Sequence, residues 1–176
     1  LPPGLAFISF SERAWEAHAS AKMPKFYLDL AQYRSYYEKG QPPYTPAISI
    51  FFALDLAIQQ LQEEGIDALF ARHARIAQMT REGIKDLGLS LFPDEQYASD
   101  TVTAASIPEG VVASDLLRIV REDHDVVLGG GQGPVDGKIF RIGHMGKTTP
   151  EDIRGVLDAL AASLPKVGFT PAGTAH

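Results

Sequence analysis

Gly129-Gly130-Gly131-Gln132-Gly133-Pro134-Val135-Asp136-Gly137-Lys138-Ile139-Phe140-Arg141-Ile142-Gly143 is the stretch on which the fold turns. A glycine-rich loop here runs into a short apolar strand, not into a helix. A phosphate-gripping Walker loop needs four residues between its glycines and Ser or Thr after the lysine. Here Gly133 and Gly137 are separated by three residues, and Ile139 follows Lys138. A dinucleotide fingerprint leaves a strand and opens a helix, the reverse of this order. Two readings remain: a flexible connection that needs positive φ at several places, or a loop whose bare backbone lets a ligand approach closely.

Working outward, Lys138 to Gly143 reads as a strand, and Asp125 to Leu128 before the loop reads as another. Leu89 to Phe92 and Thr101 to Ile107 are further strands, separated by the polar loop Pro93 to Asp100. Ser114 caps a helix carrying Leu116, Leu117, Ile119 and Val120. Thr149-Pro150-Glu151-Asp152 is a capping box with proline inside it, followed by Ile153, Val156, Leu157, Leu160, Ala161 and Leu164 at helical spacing. The order β-β-α-β-β-α predicts an α/β (α+β) arrangement, a short, mainly antiparallel sheet with helices on one face.

Upstream the pattern changes to long helices. Ile66 to Leu87 is amphipathic, with Leu69, Phe70, His73, Ile76, Ala77, Thr80 and Ile84 on one side. Before it, Thr45-Pro46 offers a hydroxyl N-cap with proline at the first helical position. Ile48, Phe51, Phe52, Leu54, Ile58 and Leu61 then make a helix that is apolar around most of its circumference and is expected to be buried. Phe26 to Lys39 is tyrosine-rich, partly helical, and ends at Gly40. Ser11 caps a helix bearing Trp15. Leu5 to Phe10 has the content of a buried strand, and Leu1-Pro2-Pro3-Gly4 is a turn. The change of pattern places a boundary between residues 1–64 and 65–176.

Composition limits function. The chain has 176 residues, 45% hydrophobic, with a formal charge of -6. The acidic balance argues against nucleic acid or an anionic membrane as partner, since both require basic clusters. No apolar run reaches the roughly 18 to 20 residues that span a bilayer, and no charged-then-apolar leader opens the chain, so the cytoplasm is expected. There is no cysteine, and the five histidines (His18, His73, His124, His144, His176) show no paired ligand spacing, so no metal site is expected. The start at Leu1, not Met, is read as processing, cleavage or an incomplete chain.

Arg141 is the most informative side chain. Alternation puts it on the face of Ile139 and Gly143, opposite Phe140 and Ile142, and a guanidinium in such company wants a carboxylate. An internal salt bridge or an exposed strand edge would satisfy it; so would the bidentate grip of a substrate carboxylate. The Tyr44-Thr45-Pro46 junction combines hydroxyl donors with a helix N-terminus, which suits a phosphate, though ordinary capping explains it equally. His73 and His144 read as satisfied core or surface residues.

In this order the pieces resemble the class V pyridoxal-phosphate-dependent aminotransferases of the alanine:glyoxylate and serine:pyruvate type. The resemblance is carried by Leu1-Pro2-Pro3-Gly4 with Ile8-Ser9-Phe10-Ser11, by Gln41-Pro42-Pro43-Tyr44-Thr45-Pro46-Ala47-Ile48-Ser49, and by Gly129 to Gly133 with Phe140-Arg141-Ile142-Gly143. Some relatives carry the name soluble-hydrogenase small subunit; the lack of cysteine speaks against nickel or iron–sulfur chemistry here.

The resemblance implies the C-terminal portion of a fold-type I homodimer with pyridoxal 5'-phosphate between subunits. Residues 1–64 would be the end of the large domain and a connecting helix, and 65–176 the C-terminal small domain. Small amino and keto acids would be the substrates, an amino group moving between alanine or serine and pyruvate or glyoxylate. Arg141 would bind the α-carboxylate, and Gln41, Tyr44 and Thr45 would reach the phosphate in the partner subunit. Many relatives have Thr at the position of Pro42, which leaves open whether Tyr44 or Thr45 supplies the hydroxyl. The family's Schiff-base lysine would precede Leu1, so this chain alone is expected to be inactive. The rival reading is a free-standing, non-catalytic α/β interaction or regulatory domain.

Overall fold

The computed structural model describes residues 2 to 170. Leu1, at the head of the expected opening turn, and His176 lie outside the described residues. The chain divides into two compact units, Leu1–Glu64 and Gly65–His176.

The second unit is built on three antiparallel strands, β1 (Val102–Ser106), β2 (Gly129–Gly130) and β3 (Ile139–Gly143), in the order β1-β3-β2. Ala105 lies opposite Phe140 and Thr103 opposite Ile142. These four share one face, all buried, because strand side chains alternate between faces. Three helices cover that face. In α4 (Ile66–Asp86), Ile76, Ala77, Thr80 and Ile84 form the buried stripe; in α5 (Ala113–His124), Leu116 and Val120; in α6 (Pro150–Ser163), Ile153, Ala159, Leu160 and Ser163. Each fully buried Leu, Ile or Phe removed from water contributes about 1.5–3 kcal/mol, and Phe140 sits at the centre of the set with 0% exposure. Gly83 lets α4 and α6 approach: a Cβ there would meet Leu157 Cδ1 at 2.2 Å.

The expected capping box at Thr149 forms in full. Thr149 accepts from the Asp152 N–H, and Asp152 accepts from the Thr149 N–H at 2.8 Å. That backbone hydrogen bond, helped by the Thr149 hydroxyl, holds the Asp152 carboxyl below its ordinary pKa.

The first unit carries α1 (Glu12–Ser20), capped by Ser11 as expected, α2 (Leu30–Tyr37), capped by Asp29, and α3 (Ile48–Glu64). None of the three contains a buried residue. Among the described residues, no helix is long and apolar enough to cross a membrane.

Several expectations are corrected. Leu5 to Phe10 is irregular, because the first unit offers no strand among its described residues to pair with it. Helix α3 does not start at Thr45: its first accepting carbonyl is that of Ala47, which takes the N–H groups of Ile50 and Phe51. A residue before proline is driven to extended backbone, and Thr45 stays outside the helix. Nor is α3 buried, with Ile48 56%, Phe51 51% and Phe52 73% exposed. Leu89 to Phe92 contributes one bridge, Leu91 to Ala105, instead of a strand. Ser114 is inside α5, whose N-cap position is Val112. Asp125 to Leu128 is not a strand: Asp125 closes α5 in the left-handed conformation at φ 55, and the pairing segment falls on Gly129–Gly130.

Candidate functional site

Arg141 lies in mid-β3, between Ala104 on β1 and Gly129 on β2. Both cross-strand neighbours are small, so the guanidinium lies over backbone. Its Nε donates to the carbonyl of Gly130 at 2.9 Å. Among the described residues no carboxylate pairs with it, which overturns the internal salt bridge. The Nη1 and Nη2 groups remain as two donors in one plane, the geometry that matches a carboxylate edge to edge. The side chain is half-buried, so a carboxylate binding there would be partly withdrawn from competing water.

His144 belongs to the opposite, buried face and is 1% exposed. Its Nε2 shares a hydrogen bond with Thr103 Oγ1 at 2.9 Å, while Nδ1 has no partner. Burial pushes its pKa down, and the nearby Arg81 charge acts in the same direction against the backbone contact at Asp100. His73 places Nδ1 against the carbonyl of Leu69 at 2.9 Å, one turn back on α4. His73 is thus a satisfied residue, as expected, whereas His144 is a core residue satisfied at Nε2 and not at Nδ1.

Gln41, Tyr44 and Thr45 all belong to the first unit, where they line a groove of about 1240 Å³ together with Trp15, Tyr27 and Tyr37. The structure sorts the three. The Tyr44 hydroxyl turns inward and donates to Gln32 Oε1 at 3.0 Å, with the Phe26 carbonyl at 3.3 Å as the alternative acceptor. Its ring packs 4.7 Å from that of Tyr27 and 6.0 Å from that of Tyr33. Desolvation in this cluster, then the neighbouring Tyr27, raises the pKa of Tyr33. Thr45 and Gln41 are exposed, and the Gln41 N–H is held by the carbonyl of Tyr36 at 3.0 Å. An exposed hydroxyl and an exposed amide before the N-terminus of α3 fit a phosphate better than an occupied phenol does.

Sequence reasoning missed Gly130 as the residue holding Arg141, and Gln32 as the acceptor for Tyr44. The first interaction is made through a backbone carbonyl, which no residue type advertises. The second is twelve positions away, with only the concentration of tyrosines as a hint. All seven lysines of the chain are exposed: Lys22, Lys25, Lys39, Lys85, Lys138, Lys147 and Lys166.

No protein-family model matches the chain. The chain is 44% identical over 170 residues to the "Soluble hydrogenase, small subunit" of Synechococcus sp. (strain PCC 6716), a match covering 97% of this chain and 44% of that protein. It is 34% identical over 171 residues to the serine–glyoxylate aminotransferase of Arabidopsis thaliana, covering 96% of this chain and 43% of that protein. The crystal structure of pyridoxamine-pyruvate aminotransferase from Mesorhizobium loti superposes with a TM-score of 0.86 at 34% identity, over 92% of this chain and 43% of that chain. The chain thus spans about 44% of the length of the first of these relatives. Its sequence and its fold make it a homologue of the C-terminal portion of the class V, fold-type I aminotransferases.

Proposed function

We propose that the protein carrying this chain is a pyridoxal 5'-phosphate-dependent aminotransferase that moves an amino group between a small amino acid, alanine or serine, and pyruvate or glyoxylate. The observation that carries this reading is Arg141, tethered through Nε and left with both Nη groups free of any carboxylate among the described residues. In this role the fork grips the α-carboxylate of amino and keto acid alike, orienting the substrate while leaving its α-carbon free to react. Relatives named for glyoxylate and pyruvate as acceptors support the substrate class.

Pyridoxal phosphate, when bound, supplies the electron sink that lets the Cα–H bond break. Thr45 and Gln41 are the residues that would hold its phosphate, in the partner subunit of a homodimer; Tyr44 would pack beneath them, its hydroxyl engaged with Gln32. Residues 1–64 would be the end of the large domain with its connecting helix, and 65–176 the small domain. The enzyme would work in the cytoplasm. A lysine that carries the cofactor and moves the proton must lose its charge, which burial promotes. Every lysine here is exposed, so none is poised to serve as that lysine, and this chain alone would not transaminate.

The test is Arg141→Ala in the intact protein, assayed with alanine or serine and glyoxylate or pyruvate. Losing a bidentate charge-assisted grip should lower kcat/KM by about 100-fold or more while the visible absorbance of bound cofactor stays. Loss of cofactor together with activity would refute the role given to Arg141. An intact protein that neither binds the cofactor nor transaminates would be a non-catalytic interaction or regulatory domain.

A further inference from the structure

We propose that the run Gly129-Gly130-Gly131 is a positioning device that sets the orientation of the Arg141 fork, an inference that rests on Arg141 as the carboxylate grip. Each glycine does a different thing. Gly129 is the cross-strand partner of Arg141, and a Cβ there would lie 3.5 Å from both Nε and Nη2. The guanidinium therefore lies above a residue without a side chain, where a β-carbon alone would already reach ordinary contact with it. Gly130 supplies the carbonyl that accepts from Nε at 2.9 Å. With Nε fixed there, rotation of the planar guanidinium is restricted, and its two Nη groups point where one carboxylate can take both.

Gly131 holds that carbonyl in place. A Cβ at Gly131 would stand 1.9 Å from the carbonyl oxygen of Val135 and 2.6 Å from its carbon, a clash with backbone and not with a movable side chain. Only glycine lets the loop fold back this tightly. The fold-back is fastened on both sides: the Gly131 N–H donates to Ile139 at 3.1 Å, and the same Val135 carbonyl accepts from Lys138 at 3.1 Å. Any side chain at 131 pushes the one-turn helix Gly133–Val135 away and drags the adjoining Gly130 carbonyl from Arg141. The glycine loop, which neither nucleotide motif explains, thus acts through the arginine that follows it in the sequence.

The experiment titrates pyruvate calorimetrically into the intact protein loaded with pyridoxal phosphate and without amino donor, so that binding is read and not turnover. Gly131→Ala should weaken pyruvate about tenfold, since a misoriented fork loses one of two charge-assisted bonds. Gly129→Val reaches the same end independently, its γ-carbons occupying the place of the guanidinium. Valine suits an exposed strand position, so this variant decides the matter where Gly131→Ala fails to fold.

Neither change should weaken binding further in an Arg141→Ala background, and in steady state both should raise KM for the keto acid by more than they lower kcat. Folded single variants that bind pyruvate like the parent would overturn the proposal, as would losses that persist in full without Arg141. Arg141→Ala binding pyruvate like the parent would instead remove the carboxylate grip itself, and with it the reason for a device to aim it.

Discussion

The two units make opposite use of apolar residues. In Gly65–His176 every helix from α4 to α6 turns a stripe inward, and Phe140, Leu116 and Leu160 are wholly removed from solvent. In Leu1–Glu64 the apolar content of α3 is at least as rich, yet Phe51, Phe52, Ile48 and Leu56 are exposed and no residue of α1, α2 or α3 is buried. The difference teaches that hydrophobicity states a need for burial without supplying the surface that meets it. Helix α3 has apolar side chains on all sides, a pattern that within one small unit cannot be satisfied.

The sharpest way to break this comparison is to separate the units. Residues 65–176 expressed alone should keep their helical circular dichroism and melt in one cooperative transition, whereas residues 1–64 alone should unfold without cooperativity and bind a hydrophobic dye. A cooperative melt for 1–64 would show that the first unit has a core of its own. The next effect is a matched pair of truncations. Phe140→Ala should cost about 3–5 kcal/mol in urea unfolding, while Phe52→Ala, on α3, should stay within about 0.5 kcal/mol. Equal costs would erase the contrast.

The smallest effect concerns His144, which is 1% exposed. With its pKa held below the ordinary value by burial, His144 stays neutral when folded but takes up a proton when unfolded. Stability is therefore full above about 6.5 and is lost as pH falls below that value toward the folded pKa. The groups facing it are Thr103 on β1, Arg81 and His73 on α4, and the backbone at Asp100. Comparing urea midpoints at pH 7.5 and 5.5, the parent should lose more than His144→Gln; equal losses would place the titration elsewhere.

What could be read from the sequence was what neighbours in the chain decide. The Thr149 capping box and the Ser11 cap are made within one or two turns and appear where their residues announce them; the α4 stripe appears from Ile76 to Ile84, while Phe70, expected on the same side, is 63% exposed. Arg141 was placed on the correct face of its strand because alternation is also local. Pairing is not local. Leu5 to Phe10 has strand composition but no partner, while Gly129–Gly130 has no strand composition and pairs with β3 all the same. The neighbours that decide what Arg141 can do, Gly130 above all, act through backbone groups, and Tyr44 faces inward only because Gln32 and Phe26 come to meet it.

The exposure of all seven lysines has a practical side for chemical work on the protein. Aldehydes and keto acids condense readily with accessible amines, so treating this chain with such a compound and a hydride reductant would produce a ladder of masses and not one adduct. Peptide mapping of that ladder would return a census of surface amines. The same accessibility makes amine coupling to a dye or a solid support a mild operation, since no attachment point lies in the hydrophobic core of the second unit.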